Sequence, residues 1–208
     1  MKYMTTTLDP PEQRVLLNNI DWELYEALLM AHRDSSVPRF TYDDGCLEIM
    51  SPSADHEQIK DAVVQLVNIF AEENAINIKG FGSTTFRRKD LSKGFEPDAC
   101  FYSTNLRKVQ GKRELDLQYD PPPDLAIEID ITRSSLDKLS IFEKVGVPEL
   151  WRFHNGVWRI FKLQPEGYVE QSESSVLQGL AAGTISALIE QSLTLEPLAW
   201  IRCVREQV

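Results

Sequence analysis

Residues 121–135 read PPPDLAIEIDITRSS, and this stretch constrains the fold more than any other. Leu125, Ala126, Ile127, Ile129 and Ile131 form a short, β-branched apolar run with prolines before it and Thr-Arg-Ser-Ser after it. That is the pattern of a buried strand. Inside the run stand Glu128 and Asp130, and Asp124 stands at its entry. Strand side chains alternate, so Glu128 and Asp130 share one face while Ile127, Ile129 and Ile131 point to the other. A buried carboxylate is costly unless something pairs with it. The strand therefore asks for an apolar layer on one side and compensating charge on the other. Asp124 shares the Glu128 face by parity and, at the strand's start, reads as a solvated acid.

The flanking sequence supplies the rest of an α/β (α+β) domain, a mixed β-sheet flanked by helices. Asp21 caps a predicted helix from Trp22, and a longer one runs from Ala54 to Glu73 with Ile59, Val63, Leu66, Val67 and Phe70 on its buried stripe. Asp43-Asp44-Gly45 and Asn155-Gly156 are hairpin turns. Strands are predicted near 76–82, 84–88, 98–103, 124–131 and 168–171, and further helices near 135–145, 184–191 and 197–206. Residues 1–19 read as a flexible polar arm and 20–208 as one domain. No apolar run reaches the ~20 residues of a membrane span. Cys46, Cys100 and Cys203 are scattered without a CxxC pair, which predicts reduced, mostly buried thiols in a cytoplasmic protein.

Charge is unevenly spread. The net charge of −10 argues against a broad nucleic-acid footprint, yet residues 79–113 carry nine basic residues against three acids, and 114–151 reverse this. The Arg87-Arg88-Lys89 run, after a bend at Gly82-Ser83-Thr84-Thr85, suits nucleic-acid phosphates or is simply a solvated basic loop. Asp98, in GFEPDACFYS, enters its strand extended behind Pro97. If the Asp98 and Glu128 strands are neighbours, their carboxylates converge. Oxygen-only ligation of that kind suits Mg²⁺ or Mn²⁺. Lys138, early in the next predicted helix, can fold back toward Glu128 and Asp130. Metal, water and lysine are the parts needed to hydrolyse a phosphodiester. The same residues also make a plain ion-pair cluster that pins strand to helix, and spacing alone leaves both readings open.

Four blocks, LEIMSPSADHEQI, EPDACFY, PPDLAIEIDIT and LDKLSIFEKVGVPELWRF, resemble the Uma-two family of restriction endonucleases, within the PD-(D/E)xK nuclease superfamily. The resemblance spans roughly residues 20–200. It implies a restriction-endonuclease-like fold, DNA as substrate and a divalent metal held by Asp98, Glu128 and the Ile129 carbonyl. One position departs from the pattern. The superfamily's lysine, two residues after the glutamate, is replaced by Asp130. In similar proteins the lysine moves to the following helix, eight residues before a Gly-Val-Pro-Glu block, as Lys138 stands here. Asp130 is then either the partner of Lys138 or an extra metal ligand. Glu57 resembles the helix acid that such nucleases aim at the metal, or is an exposed helix glutamate. Glu48 is a weaker candidate, and His56 is a phosphate contact or a local hydrogen-bonding group. Cutting a duplex needs two sites, so a homodimer is expected. The alternatives are a catalytically inactive binding or regulatory protein of the same fold, and a hydrolase of small phosphoesters.

Overall fold

Turn and cap chemistry sets many of the element boundaries. The computed structural model describes residues 12–35, 37–112, 114–132 and 136–208. In chain order these hold β1 (Gln13–Leu17), α1 (Trp22–Ala31), β2 (Arg39–Asp43), β3 (Cys46–Ser51), α2 (Ala54–Glu73), β4 (Lys79–Gly82), β5 (Phe86–Arg88), β6 (Lys93–Phe95), β7 (Ala99–Tyr102), α3 (Leu106–Val109), β8 (Leu125–Asp130), α4 (Lys138–Val145), β9 (Glu149–His154), β10 (Val157–Gln164), β11 (Gly167–Gln171), α5 (Ala182–Ser192) and α6 (Pro197–Gln207). Asp21 and Ser53 cap α1 and α2 by accepting from Leu24 N and His56 N at 2.8 and 3.2 Å. Each satisfies a donor that a helix start leaves without an internal partner. Gly146 ends α4 at φ 84°, the left-handed conformation that glycine adopts without strain.

The strands form two sheets. The first, in the order β1-β3-β2-β6-β5, is antiparallel throughout; the second runs β11-β10-β9-β8-β7-β4 and is antiparallel except for β8 and β9. A parallel pair needs a crossover, and α4 provides it. That crossover brings the first residue of α4 back to the end of β8.

Three apolar clusters hold the layers. Leu125, Ile127 and Ile129 of β8 pack with Ile59, Val63, Leu66 and Phe70 of α2 and with Ile185 and Leu188 of α5. On the opposite face Ala126 joins Cys100, Phe95, Ile141 and Phe142. The first sheet packs Phe40, Tyr42 and Leu47 on Trp22 and Tyr25 of α1, with the Tyr25 and Tyr42 rings stacked at 4.9 Å. Gly94 is required there: a Cβ at that position would collide with the Tyr25 hydroxyl.

Several expectations are corrected. The polar arm expected over 1–19 contains a strand, because Gln13–Leu17 pair along β3; residues 1–11 lie outside the described residues. The start of the helix expected from 135 also lies outside them in part, and α4 begins at Lys138. Asp124 is buried, not solvated, and accepts from Ser103 N, Asn105 N and Asn105 Nδ2 at 2.8–2.9 Å. It caps the loop leaving β7. Of the three free cysteines only Cys100 is fully buried. Among the described residues no helix is long and apolar enough to cross a membrane.

Candidate active site

The site is a charged seam where the two sheets meet. In β2 and β3 the side chains opposite Phe40 and Ile49 are Arg39 and Glu48, and in β1 the corresponding one is Arg14. Register decides this, since Arg14 and Arg39 both pair with Met50, and Thr41 with Glu48. On the second sheet, β7 and β8 pair Ala99 with Ile127, so one further step places Asp98 across from Glu128. Opposed residues of an antiparallel pair carry their Cβ atoms about 5 Å apart on one face.

Asp98 is buried and fully engaged. Its Oδ2 accepts from Ile129 N at 2.6 Å, its Oδ1 is ion-paired with Arg39 Nη1, and His56 Nε2 lies 3.1 Å from the same oxygen. Ile129 thus meets Asp98 through its amide N–H. Arg39 Nη2 donates to Glu57 Oε1 at 2.9 Å, and Glu57 is also paired with Lys60. Burial pushes the Glu57 carboxyl up, but the Lys60 hydrogen bond and the Arg39 charge outweigh it and hold it below its ordinary value. His56 has no exposed surface, and neither ring nitrogen is aligned for a hydrogen bond with a described residue. Burial, reinforced by Arg39, pushes its pKa down to about 4, so the ring is neutral near pH 7.

Glu128 meets Lys138 as the crossover requires, with Nζ 2.6 Å from Oε2 and both groups buried. Burial raises the Glu128 pKa; Lys138 opposes that rise and Asp130 adds to it. Asp130 does not pair with Lys138 among the described contacts. Its Oδ2 accepts from Arg152 Nε at 2.7 Å, and Arg14 Nη2 is 3.4 Å from its Oδ1. The parallel register explains the swap, because β9 sets Arg152 beside Glu128 and within reach of Asp130. Arg14 also donates to Glu48 at 2.6 Å and to Glu12 at 3.1 Å. Burial works against its charge, but Glu48, Glu12 and Asp130 together raise its pKa.

Arg14, Arg39, Arg152 and Glu12 were missed by the reading of the sequence. For Arg39 a signal existed. Phe40 and Tyr42 define the apolar face of β2, and strand parity sends Arg39 to the other face. For Glu12 and Arg14 there was none, since Thr132, Asp130 and Glu48 lie 34 to 120 residues away. The Arg87-Arg88-Lys89 run falls on edge strand β5 and just beyond it. Arg88 is bidentate to Asp90 at 2.7 and 2.8 Å, Lys89 lies 3.2 Å from Glu23, and Arg87 lies 3.8 Å from Glu26.

The buried acids Glu12, Glu48, Asp98, Glu128 and Asp130 face Arg14, Arg39, Lys138 and Arg152, which leaves one surplus negative charge among the described residues. Glu12 Oε1 and both His56 nitrogens lack hydrogen-bond partners among the described residues. Even so, no three His, Cys, Asp or Glu side chains among the described residues are arranged to hold a metal ion. Asp98 is taken by Arg39 and Ile129 N–H, and Glu128 by Lys138. As arranged, these residues do not fit a Mg²⁺ or Mn²⁺ site, because side-chain cations stand against both carboxylates.

A mixed sheet with helices on its faces, acids on neighbouring strands and a lysine from the crossover helix define a restriction-endonuclease-like fold. A solved structure from Anabaena variabilis ATCC 29413, described as a "putative nuclease belonging to DUF820", shares this fold with TM-score 0.54 and 14% identity, over 74% of this chain and 93% of that one. The family model described as "Uma2: Putative restriction endonuclease" matches residues 22–196, and the chain belongs to that family. A comparison with curated proteins finds no match.

Proposed function

We propose that the protein is an endonuclease that hydrolyses DNA phosphodiester bonds at the Asp98–Glu128–Lys138 site. The observation that carries this reading is the buried Lys138 ammonium, 2.6 Å from Glu128 Oε2 on the face that Asp98 shares. An ammonium held there can bind a phosphate oxygen and stabilise the charge that develops on it. Asp130, clamped by Arg152 and Arg14, is a positioning group for the end of β8, and Glu57 sets the position of Arg39. Family membership implies a divalent cation, but Arg39 on Asp98 and Lys138 on Glu128 leave it no ligands as these residues are arranged. It has a place at Asp98 only if Arg39 moves. The exposed Arg87 and Lys89, with Arg88, would contact backbone phosphates, and two copies of the chain would present two sites to a duplex.

The test is nicking of supercoiled plasmid with Mg²⁺ or Mn²⁺ by wild type, Asp98→Ala and Lys138→Ala. Wild type is expected to nick, and each variant to lose about 100-fold or more, the scale of a single positioned catalytic group. A wild type that cuts no DNA with either metal sinks the reading. The saturated ion pairs favour a second reading, a nuclease-fold protein that binds DNA without cutting it. Retention of labelled duplex with Mn²⁺ present and no cleavage over hours selects that one.

A further inference from the structure

Beside the seam lies a cavity of about 320 Å³, at the small end of the ~300–1,000 Å³ typical of ligand pockets. Its walls include Arg39, Ser53, Ala54, Glu57, Lys60 and Ser83. Ser53 and Ala54 are the cap and first residue of α2, a helix of 20 residues. A helix start of that length offers free N–H groups and the positive end of the macrodipole. A second observation points the same way. Arg39 lines this cavity and is only 5% exposed, and its buried Nε has no hydrogen-bond partner among the described residues. A buried guanidinium donor left unused is expensive unless something occupies it.

The cavity already holds one anion. The Glu57 carboxylate accepts from Arg39 Nη2 at 2.9 Å and is paired with Lys60, which shows that these two cations converge on a single group. The Glu57 side chain is 38% exposed, so it can swing into water. The opposing charges nearby include Asp98 behind Arg39, Glu96 and Glu128, which also feel the Arg39 charge, Asp55 in the first turn of α2, and Asp61 at 3.8 Å from Lys60. Asp98 occupies only Nη1, and Asp61 and Asp55 lie outside the cavity lining.

We propose that this cavity is a phosphate-binding subsite, in which a phosphate group of the nucleic acid takes the place of the Glu57 carboxylate on Arg39 and Lys60. The proposal rests on the nuclease reading for its choice of ligand. A tetrahedral phosphate can meet the Arg39 fork, the Lys60 ammonium, the Ser53 and Ser83 hydroxyls and the start of α2 together, which a planar carboxylate cannot. Arg39 is then shared between the phosphate and Asp98. Whatever draws it toward one weakens its hold on the other.

The experiment is calorimetric titration of the full chain in EDTA with inorganic phosphate, thymidine 5′-monophosphate and TpT, which carries a phosphodiester but no terminal phosphate. Wild type is expected to bind phosphate. Lys60→Met should weaken binding about tenfold, by loss of one charge-assisted contact. Glu57→Gln should tighten it by a similar factor, since it removes the competing anion. Binding of the monophosphate without TpT identifies a terminal phosphate as the ligand, and binding of both identifies the backbone. No phosphate binding by wild type overturns the subsite, as does Lys60→Met binding like wild type or Glu57→Gln binding no tighter. Nothing is cleaved in EDTA, so a protein that binds phosphate in this way but never nicks DNA loses the nuclease reading and keeps the subsite. One that nicks DNA without binding phosphate does the reverse.

Discussion

The two faces of β8 solve the burial problem in opposite ways. On one, Leu125, Ile127 and Ile129 disappear into an apolar layer beneath α2 and α5. That layer works by contact area and tolerates small rearrangements. On the other, Glu128 and Asp130 are as deeply buried, and each is held by particular atoms of Lys138, Arg152 and Arg14. Apolar burial adds roughly in proportion to area, whereas a buried ion pair stands or falls with its partner. A strand can carry chemistry on one face because the other supplies the stability.

The comparison breaks most severely at Lys138. Lys138→Met leaves Glu128 buried without its counter-ion and should cost about 3–5 kcal/mol in urea denaturation near pH 7.5. The double variant Glu128→Leu/Lys138→Met should recover most of that loss; a double variant no more stable than the single one removes the pairing argument. On the apolar face, Ile127→Ala should cost about 3 kcal/mol through the cavity it leaves, by the same amount at pH 5 and pH 8. A strong pH dependence there would blur the contrast between the faces.

His56 sharpens the comparison through its titration. In the unfolded chain it takes a proton near pH 6.5, and in the folded protein only near pH 4, so the unfolded state binds more protons between these values. Its contribution to stability is complete above pH 6.5 and is lost as the pH falls through 4, by up to about 3 kcal/mol. In metal-free protein, His56→Gln should flatten the acid limb over that window, and an unchanged limb argues against a neutral buried ring. The smallest effect is expected at Asp124, where Asp124→Ala removes the acceptor of three hydrogen bonds and should cost about 1–3 kcal/mol.

Much of the fold was legible because its signals are local. Alternation along Leu125–Asp130, the Ser53 cap before the apolar stripe of α2, and the Asp44-Gly45 and Asn155-Gly156 turns each lie within a few residues. The encounter of Lys138 with Glu128 could be read as well, since ten residues and one crossover separate them. What escaped was non-local. Gln13–Leu17 looks like a polar tail until β3 pairs with it, and Arg14 looks solvated until Glu48 and Asp130 surround it. Asp124 looked like a surface acid because two of its three partners are backbone N–H groups, which no side-chain pattern reveals.

The chain order of the seam has a consequence for synthesis. Glu12 and Arg14 leave the ribosome first, and Arg14 can find Glu48 after 34 residues, but Asp130 stands 116 residues further along than Arg14. Lys138 and Arg152 come later still. Among the described residues, a nascent chain that stops short of Arg152 therefore holds these five buried acids of the seam with three of the four cations that face them. The last of these counter-charges arrives on β9, the strand that closes the parallel pair, so Asp130 gains Arg152 in the same step that completes the centre of the second sheet.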